Sequence, residues 1–219
     1  MTPEDSNALL ARHHLGHAGA PLESARRVVV CLHGRGATAA DILGIAGAID
    51  LGDIAYLAPQ ARGGAWYPRP FMEPLDANEQ DLSAALDRIA AILADLDAAG
   101  IGADKVVIAG FSQGACLSLE FAARHPGRVA AVLGFSGGLI GPSVEGREAT
   151  DRLDGLPVFI GCSERDPFIP AVRVRETVAH YEARGAAGTS GVYPEPGHTI
   201  NMDEIVRARA LLQGQAGGH

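Results

Sequence analysis

The chain is short of lysine, of cysteine and of long apolar runs, and each shortage removes a class of protein. Lys105 is the one lysine among 219 residues, so arginine carries almost all the positive charge. The formal net charge is −8 and no basic run occurs. That balance argues against nucleic acid or an anionic membrane as the main partner. Three cysteines, Cys31, Cys116 and Cys162, are odd in number and widely spaced, with no CxxC pair. They form no disulfide framework, and each sits in an apolar run where a buried, inert thiol is expected. No apolar stretch reaches the ~18–20 residues of a membrane span, which excludes stable membrane insertion through a helix. The first 14 residues are polar and acidic and contain no apolar core of a signal peptide, so a soluble cytoplasmic protein is expected. No repeat, linker or charge block interrupts the chain. One domain is expected over residues 1–219, with 1–25 as an N-terminal extension or edge strands.

What the chain has is apolar content, at 47%, and glycine, at 28 residues beside 13 prolines. A chain of this size buries enough surface to hold a core without staples. The glycine and proline content stays below that of low-complexity chains, so the glycines mark turns and close backbone approaches. Short β-branched runs alternate with longer amphipathic ones. Residues 27–33 (RVVVCLH), 53–58, 105–111 (KVVIAGF), 129–135, 157–162 (PVFIGC) and 189–193 read as strands. Residues 38–49, 78–99, 113–125, 171–184 and 202–212 read as helices. The stripe Leu82, Ala85, Leu86, Ile89, Ile92, Leu93 and Leu96 marks the longest of them. Such alternation predicts an α/β fold, a mainly parallel sheet flanked by helices on both faces. Ligands in such sheets bind beyond the carboxyl ends of the strands.

Two glycine motifs fall at those ends. Gly110-Phe111-Ser112-Gln113-Gly114 matches GxSxG between a strand and a helix. A serine there occupies a sharp turn and projects its hydroxyl above the sheet, while the helix N-terminus favours a developing oxyanion. The plainer alternative is a glycine-lined turn with an incidental serine. Residues 134–138 repeat the pattern around Ser136, but LIGPS follows and cannot continue as a helix. Ser112 is therefore the candidate nucleophile and Ser136 a structural serine. His33-Gly34-Arg35-Gly36 ends the first clear strand. Read as GxGxxA it is a loose dinucleotide fingerprint, but that needs an acidic residue at the end of the second strand, and Asp53 lies at its start. Read as an HGxG loop it supplies a backbone donor for an oxyanion, with the N–H groups of Arg35 and Gln113 as the pair.

A serine needs a base, and the base needs a carboxylate to orient it. After Ser112 come His125, His180, His198 and His219. His125 ends a helix, His180 lies inside one and His219 is terminal. His198 sits in the loop PEPGHTI, between the last strand and the last helix. Asp166 follows the strand 157–162 in a loop stiffened by Pro167 and Pro170, with Glu164 as its rival. His13, His14 and His17 are expected to be solvated, without a carboxylate or cysteine partner, so no metal is expected, and no cofactor.

The segments LHGRGATAADIL, GFSQGACLSL, GCSERDPFIP and PEPGHTI strongly resemble, in matching order, the phospholipase/carboxylesterase family of small α/β-hydrolases. That family includes bacterial carboxylesterases and acyl-protein thioesterases. The resemblance runs from about residue 26 to 212 and implies an α/β-hydrolase fold, and with no sizeable insertion between Gly134 and Leu156 no large lid is expected. It implies a serine carboxylesterase acting on small to medium acyl esters, with Ser112, Asp166 and His198 as catalytic residues and the Arg35 and Gln113 N–H groups as the oxyanion hole. Arg35 departs from the HGLG of better-known members, and HGRG followed by AWYPRPF resembles the bacterial carboxylesterase branch. The implied partner is a small-molecule ester, and homodimers are common in the family. An acyl-protein thioesterase or lysophospholipase is the near alternative, and a non-catalytic ligand-binding protein on the same scaffold the distant one.

The segment holding the single tryptophan, residues 65–72, follows a strand end and its prolines prevent regular pairing. Trp66, Tyr67, Phe71 and Phe168 are expected to line an apolar substrate pocket, with Arg35 and Arg69 at its rim. The alternative is that these aromatics seal the core beneath a loop.

Overall fold

A computed structural model describes residues 1–147 and 151–214. Seven strands make one sheet: β1 (Leu15–Gly19), β2 (Arg27–Leu32), β3 (Ile54–Pro59), β4 (Val106–Phe111), β5 (Ala131–Phe135), β6 (Pro157–Ser163) and β7 (Ala187–Tyr193). Their order is β1-β3-β2-β4-β5-β6-β7. β1 pairs antiparallel with β3, and every other pairing is parallel. The helices are α1 (Pro3–His13), α2 (Ala39–Leu43), α3 (Ile45–Ile49), α4 (Glu79–Ala98), α5 (Gln113–Arg124), α6 (Ala171–Ala183) and α7 (Met202–Leu212).

The two-residue strand period divides the core. Val28, Val30 and Leu32 of β2 join Leu82, Ile89, Phe121 and Tyr181 under α4, α5 and α6. Val29 and Cys31 face the other way, onto Ile42, Ile45 and Ile49 of α2 and α3 and Ile205 of α7. Burial on both faces is why these strands read as near-continuous apolar runs. Burial also pushes the Cys31 thiol pKa up, and all three cysteines are free and buried.

Three local features depart from the sequence expectation. Residues 38–49 form two short helices broken at Gly44, whose N–H bonds to the Asp41 carbonyl in a tightened turn. β7 begins at Ala187, because its first residues pair with Pro157 and Val158 of β6. The N-terminal segment holds α1 as well as the edge strand β1. Thr2 and Asp5 exchange side-chain and backbone hydrogen bonds in a capping box, and Pro3 opens the helix. His219 lies outside the described residues. Among the described residues, no helix is long and apolar enough to cross a membrane.

Candidate active site

The carboxyl ends of β2, β4, β6 and β7 deliver the residues singled out in the sequence to one edge of the sheet. Ser112 stands between β4 and α5 at φ 55° and ψ −119°. A non-glycine residue at positive φ is strained, and its neighbours must hold it there. Here its N–H bonds to the Phe135 carbonyl at 2.9 Å, and its carbonyl accepts from Cys116 N–H at 3.0 Å. The flanking glycines have a steric cause. A Cβ on Gly110 would overlap the backbone of Gly114, and one on Gly114 would overlap the Leu32 carbonyl. Only bare backbone lets α5 start so close to β4 and β2. The Ser112 side chain caps no helix hydrogen bond. Ser136 shares the positive φ, at 52°, but is fully buried and no helix follows it.

Asp166 and His198 meet in the loops after β6 and β7. His198 Nδ1 lies 2.7 Å from Asp166 Oδ2, and the Asp166 side chain is 0% exposed against 16% for His198. Asp166 Oδ1 accepts from the Phe168 and Ile169 N–H groups at 2.8 and 3.0 Å. Burial pushes the carboxyl pKa up. The bonds from His198, Phe168 and Ile169 outweigh that and hold it below the ordinary value. Glu164 is exposed, and its N–H continues the β7 pairing through the Tyr193 carbonyl. The rings of Phe111 and Phe168 lie 4.7 and 4.9 Å from the His198 ring.

The HGRG loop is set by His33. Its Nε2 accepts from Ala61 N–H at 3.0 Å, so its Nδ1 carries the proton and donates to the Gly34 carbonyl at 2.8 Å. Burial lowers the His33 pKa, which keeps the ring neutral. Because the peptide is trans, holding the Gly34 carbonyl turns the Arg35 N–H the opposite way. Neither the Arg35 nor the Gln113 N–H donates to an acceptor among the described residues. Both residues border a cavity of about 600 Å³, together with Ser112 and His198.

Tyr67, Phe71 and Phe168 line this cavity, as do Phe111, Cys116 and Ile169, which the sequence reading did not single out. Phe111 had a legible signal in its place beside Ser112. Cys116 and Ile169 had none, since their facing depends on how α5 and the loop after β6 pack. Burial pushes the Cys116 thiol up to about 12, so it is an apolar wall rather than a reactive group. Trp66 corrects the pocket expectation. It is 5% exposed, donates its indole N–H to the His33 carbonyl at 2.9 Å, and does not line the cavity. It seals the core beneath the loop. Arg35 borders the cavity as expected, and its guanidinium donates to the carbonyls of Tyr67, Pro68 and Arg69 at 2.8–3.0 Å, fastening residues 66–70 as a strap. Arg69 corrects the rim expectation, since it does not line the cavity. Gln113 holds the same strap, accepting from Trp66 N–H at 2.9 Å and donating to the Tyr67 carbonyl at 2.8 Å.

Comparison with known proteins decides the family: residues 18–214 match the phospholipase/carboxylesterase model. The chain belongs to the phospholipase/carboxylesterase family. A phospholipase/carboxylesterase structure from Dyadobacter fermentans is 39% identical, with a TM-score of 0.85, over 91% of this chain and 95% of that one. A putative esterase, NocK, of Nocardia uniformis subsp. tsuyamanensis is 29% identical over 92% of this chain and 67% of its own length. Acyl-protein thioesterase 1 of Gibberella zeae is 27% identical over 53% of this chain and 50% of its own. The architecture is the α/β-hydrolase fold that this phospholipase/carboxylesterase structure also adopts. Among the described residues no helix lies between β5 and β6, so no large helical lid covers the cavity. Membership of an esterase family makes the chain a hydrolase of ester substrates.

Proposed function

We propose that this protein is a serine carboxylesterase that hydrolyses small to medium acyl esters through an acyl-Ser112 intermediate, within a single domain. The observation that carries the reading is the convergence of strained Ser112, the His198–Asp166 pair and two undonated N–H groups on one apolar cavity. His198 takes the Ser112 proton as Oγ attacks the ester carbonyl. The Arg35 and Gln113 N–H groups stabilise the oxyanion, each contributing about 3–4 kcal/mol to lowering the barrier. His198 then protonates the leaving oxygen, and water activated by His198 releases the acid. Asp166, ionised and buried, fixes the Nδ1–H tautomer and stabilises the imidazolium. A cavity of about 600 Å³ falls within the range of small-molecule sites.

Ser112→Ala is expected to lower hydrolysis of short p-nitrophenyl esters by at least about 10⁴-fold with an unchanged melting curve. A fluorophosphonate is expected to label Ser112 and not Ser136. Full activity in Ser112→Ala would overturn the assignment, and loss in Ser136→Ala alone would move it. The likeness to a thioesterase favours a second reading, as an acyl-protein thioesterase. Matched ester and thioester pairs of one acyl group separate the two.

A further inference from the structure

A second cavity, of about 400 Å³, opens beside the first. Gly34, Ala37, Phe111 and His198 border both, but Ser112 borders only the first. The two cavities belong to opposite faces of the sheet. Tyr67, Phe71, Cys116 and Ile169 of the first are part of the core under α4, α5 and α6. Ile42 and Ile45 of the second are part of the core under α2, α3 and α7, with Ile200 packed against it.

We infer that the second cavity receives the leaving group of the substrate, an apolar alcohol or thiol, while the first holds the acyl chain. The inference rests on the ester-hydrolase reading. In the tetrahedral intermediate the central carbon carries Ser112 Oγ, the oxyanion, the acyl chain and the leaving heteroatom. The acyl chain stays bonded to Ser112 after the other product has gone, so it occupies the cavity that Ser112 borders. The bond from carbon to the leaving atom breaks with its electron pair on that atom. The proton that neutralises it comes from the His198 imidazolium, and neutral imidazole remains. The leaving group therefore departs past His198, and with the first cavity filled by the acyl chain it enters the second, which His198 also borders and Ser112 does not. Ile42, Ile45 and Ile200, with Ala37 and Phe111, form its apolar surface. Asp41 stands at its edge, engaged with Thr38 in the cap of α2. Its hydrogen bonds from Thr38 hold the carboxyl below the ordinary range, so it is anionic at neutral pH and disfavours a leaving group bearing a carboxylate.

The test uses straight-chain alkyl esters of one acid, from ethyl to hexyl, whose leaving groups have nearly equal intrinsic reactivity. In the unmodified protein kcat/KM is expected to rise roughly two- to fourfold per added methylene until the cavity is filled. Ile42→Phe is expected to lower the hexyl-to-ethyl ratio of kcat/KM at least fivefold, and Ile42→Ala to extend the rise to bulkier alcohols. Phe71→Ala, on the first cavity, is expected to change the acyl-length ratio and not the alcohol ratio. Fluorophosphonate labelling of Ser112 in each variant reports an intact site. An unchanged alcohol ratio in Ile42→Phe with Ser112 still labelled would overturn the assignment of this cavity alone. So would a shift of acyl-length preference in its place. Failure of Ser112 to label in the unmodified protein would overturn the hydrolase reading and this inference together.

Discussion

Glu204 sits behind the proposed machinery and illustrates what one residue contributes. It occupies the third position of α7, where its Oε2 accepts from the Asn201 N–H at 2.7 Å in a capping box. Its side chain is 1% exposed, and Oε1 has no partner among the described residues. Gly161 leaves it room, since a Cβ there would overlap the carboxyl. Burial pushes its pKa up to about 7, from the ordinary 4.5. The sign of the effect follows. Below pH ~4.5 the group is protonated in both states. Between that value and about 7 the unfolded chain ionises it while the native chain does not, so stability falls as pH rises. Above about 7 the loss is complete, on the order of 3 kcal/mol. Glu204→Gln keeps an acceptor for the cap and removes the charge. Its melting temperature relative to the unmodified protein is expected to climb by several degrees between pH 4.5 and pH 8. Parallel melting profiles across that range would show that Glu204 does not carry the effect. The capping pattern N-x-x-E was legible in residues 201–204, but the burial was not, because it depends on Gly161 of another element.

At the scale of elements, the position of the sharp turn at Ser112 depends on how closely α5 lies against β2 and β4. Gly114→Ala forces a methyl into the Leu32 carbonyl, and no flexible side chain is there to yield. The substitution is expected to cost more than about 3 kcal/mol or to prevent folding, measured by urea unfolding. Gly47→Ala in α3 is the contrasting case. A Cβ there meets nothing within 4 Å, so helix propensity decides and a gain of about 0.5–1 kcal/mol is expected. Equal losses in both variants would remove the steric account of GxSxG. Strands β2 to β7 were readable as short apolar runs and α4 from its 3.6-residue stripe, whereas α1 and β1 lay within residues 1–25, read only as an extension or edge strands. The break at Gly44 was not, because a single glycine is compatible with either a continuous or a broken helix. The strap at residues 66–70 was legible as a loop, but its fastening was not. Arg35 and Gln113, named for their N–H groups, also hold its backbone with their side chains.

At the scale of the whole molecule, β1 covers the outer edge of β3 across the register Leu15 to Pro59 and Gly19 to Ala55. α1 buries Leu9 in the same core as α4. Removing residues 1–19 would leave the β3 edge bare, an invitation to pair with another chain. The shortened protein is expected to elute as aggregates in size-exclusion chromatography, with a lower melting temperature. A monodisperse product of unchanged stability would show that β1 and α1 are dispensable to the sheet.

The sequence by itself determined the class of fold, through short β-branched runs alternating with longer amphipathic ones. It also determined which residue types stand at the strand ends, because glycine, serine, histidine and aspartate have local reasons to occupy turns. Those reasons act over a few neighbouring positions, and a one-dimensional pattern carries them. Only the tertiary structure decided which of those residues meet. Asp166 and His198 are 32 positions apart and bond because β6 and β7 pair in parallel. Trp66 turned into the core, Arg35 turned onto the strap, and Phe111 came to border two cavities for the same reason. Side-chain direction beyond an element's end is set by what packs against it from elsewhere in the chain, and no local period encodes that.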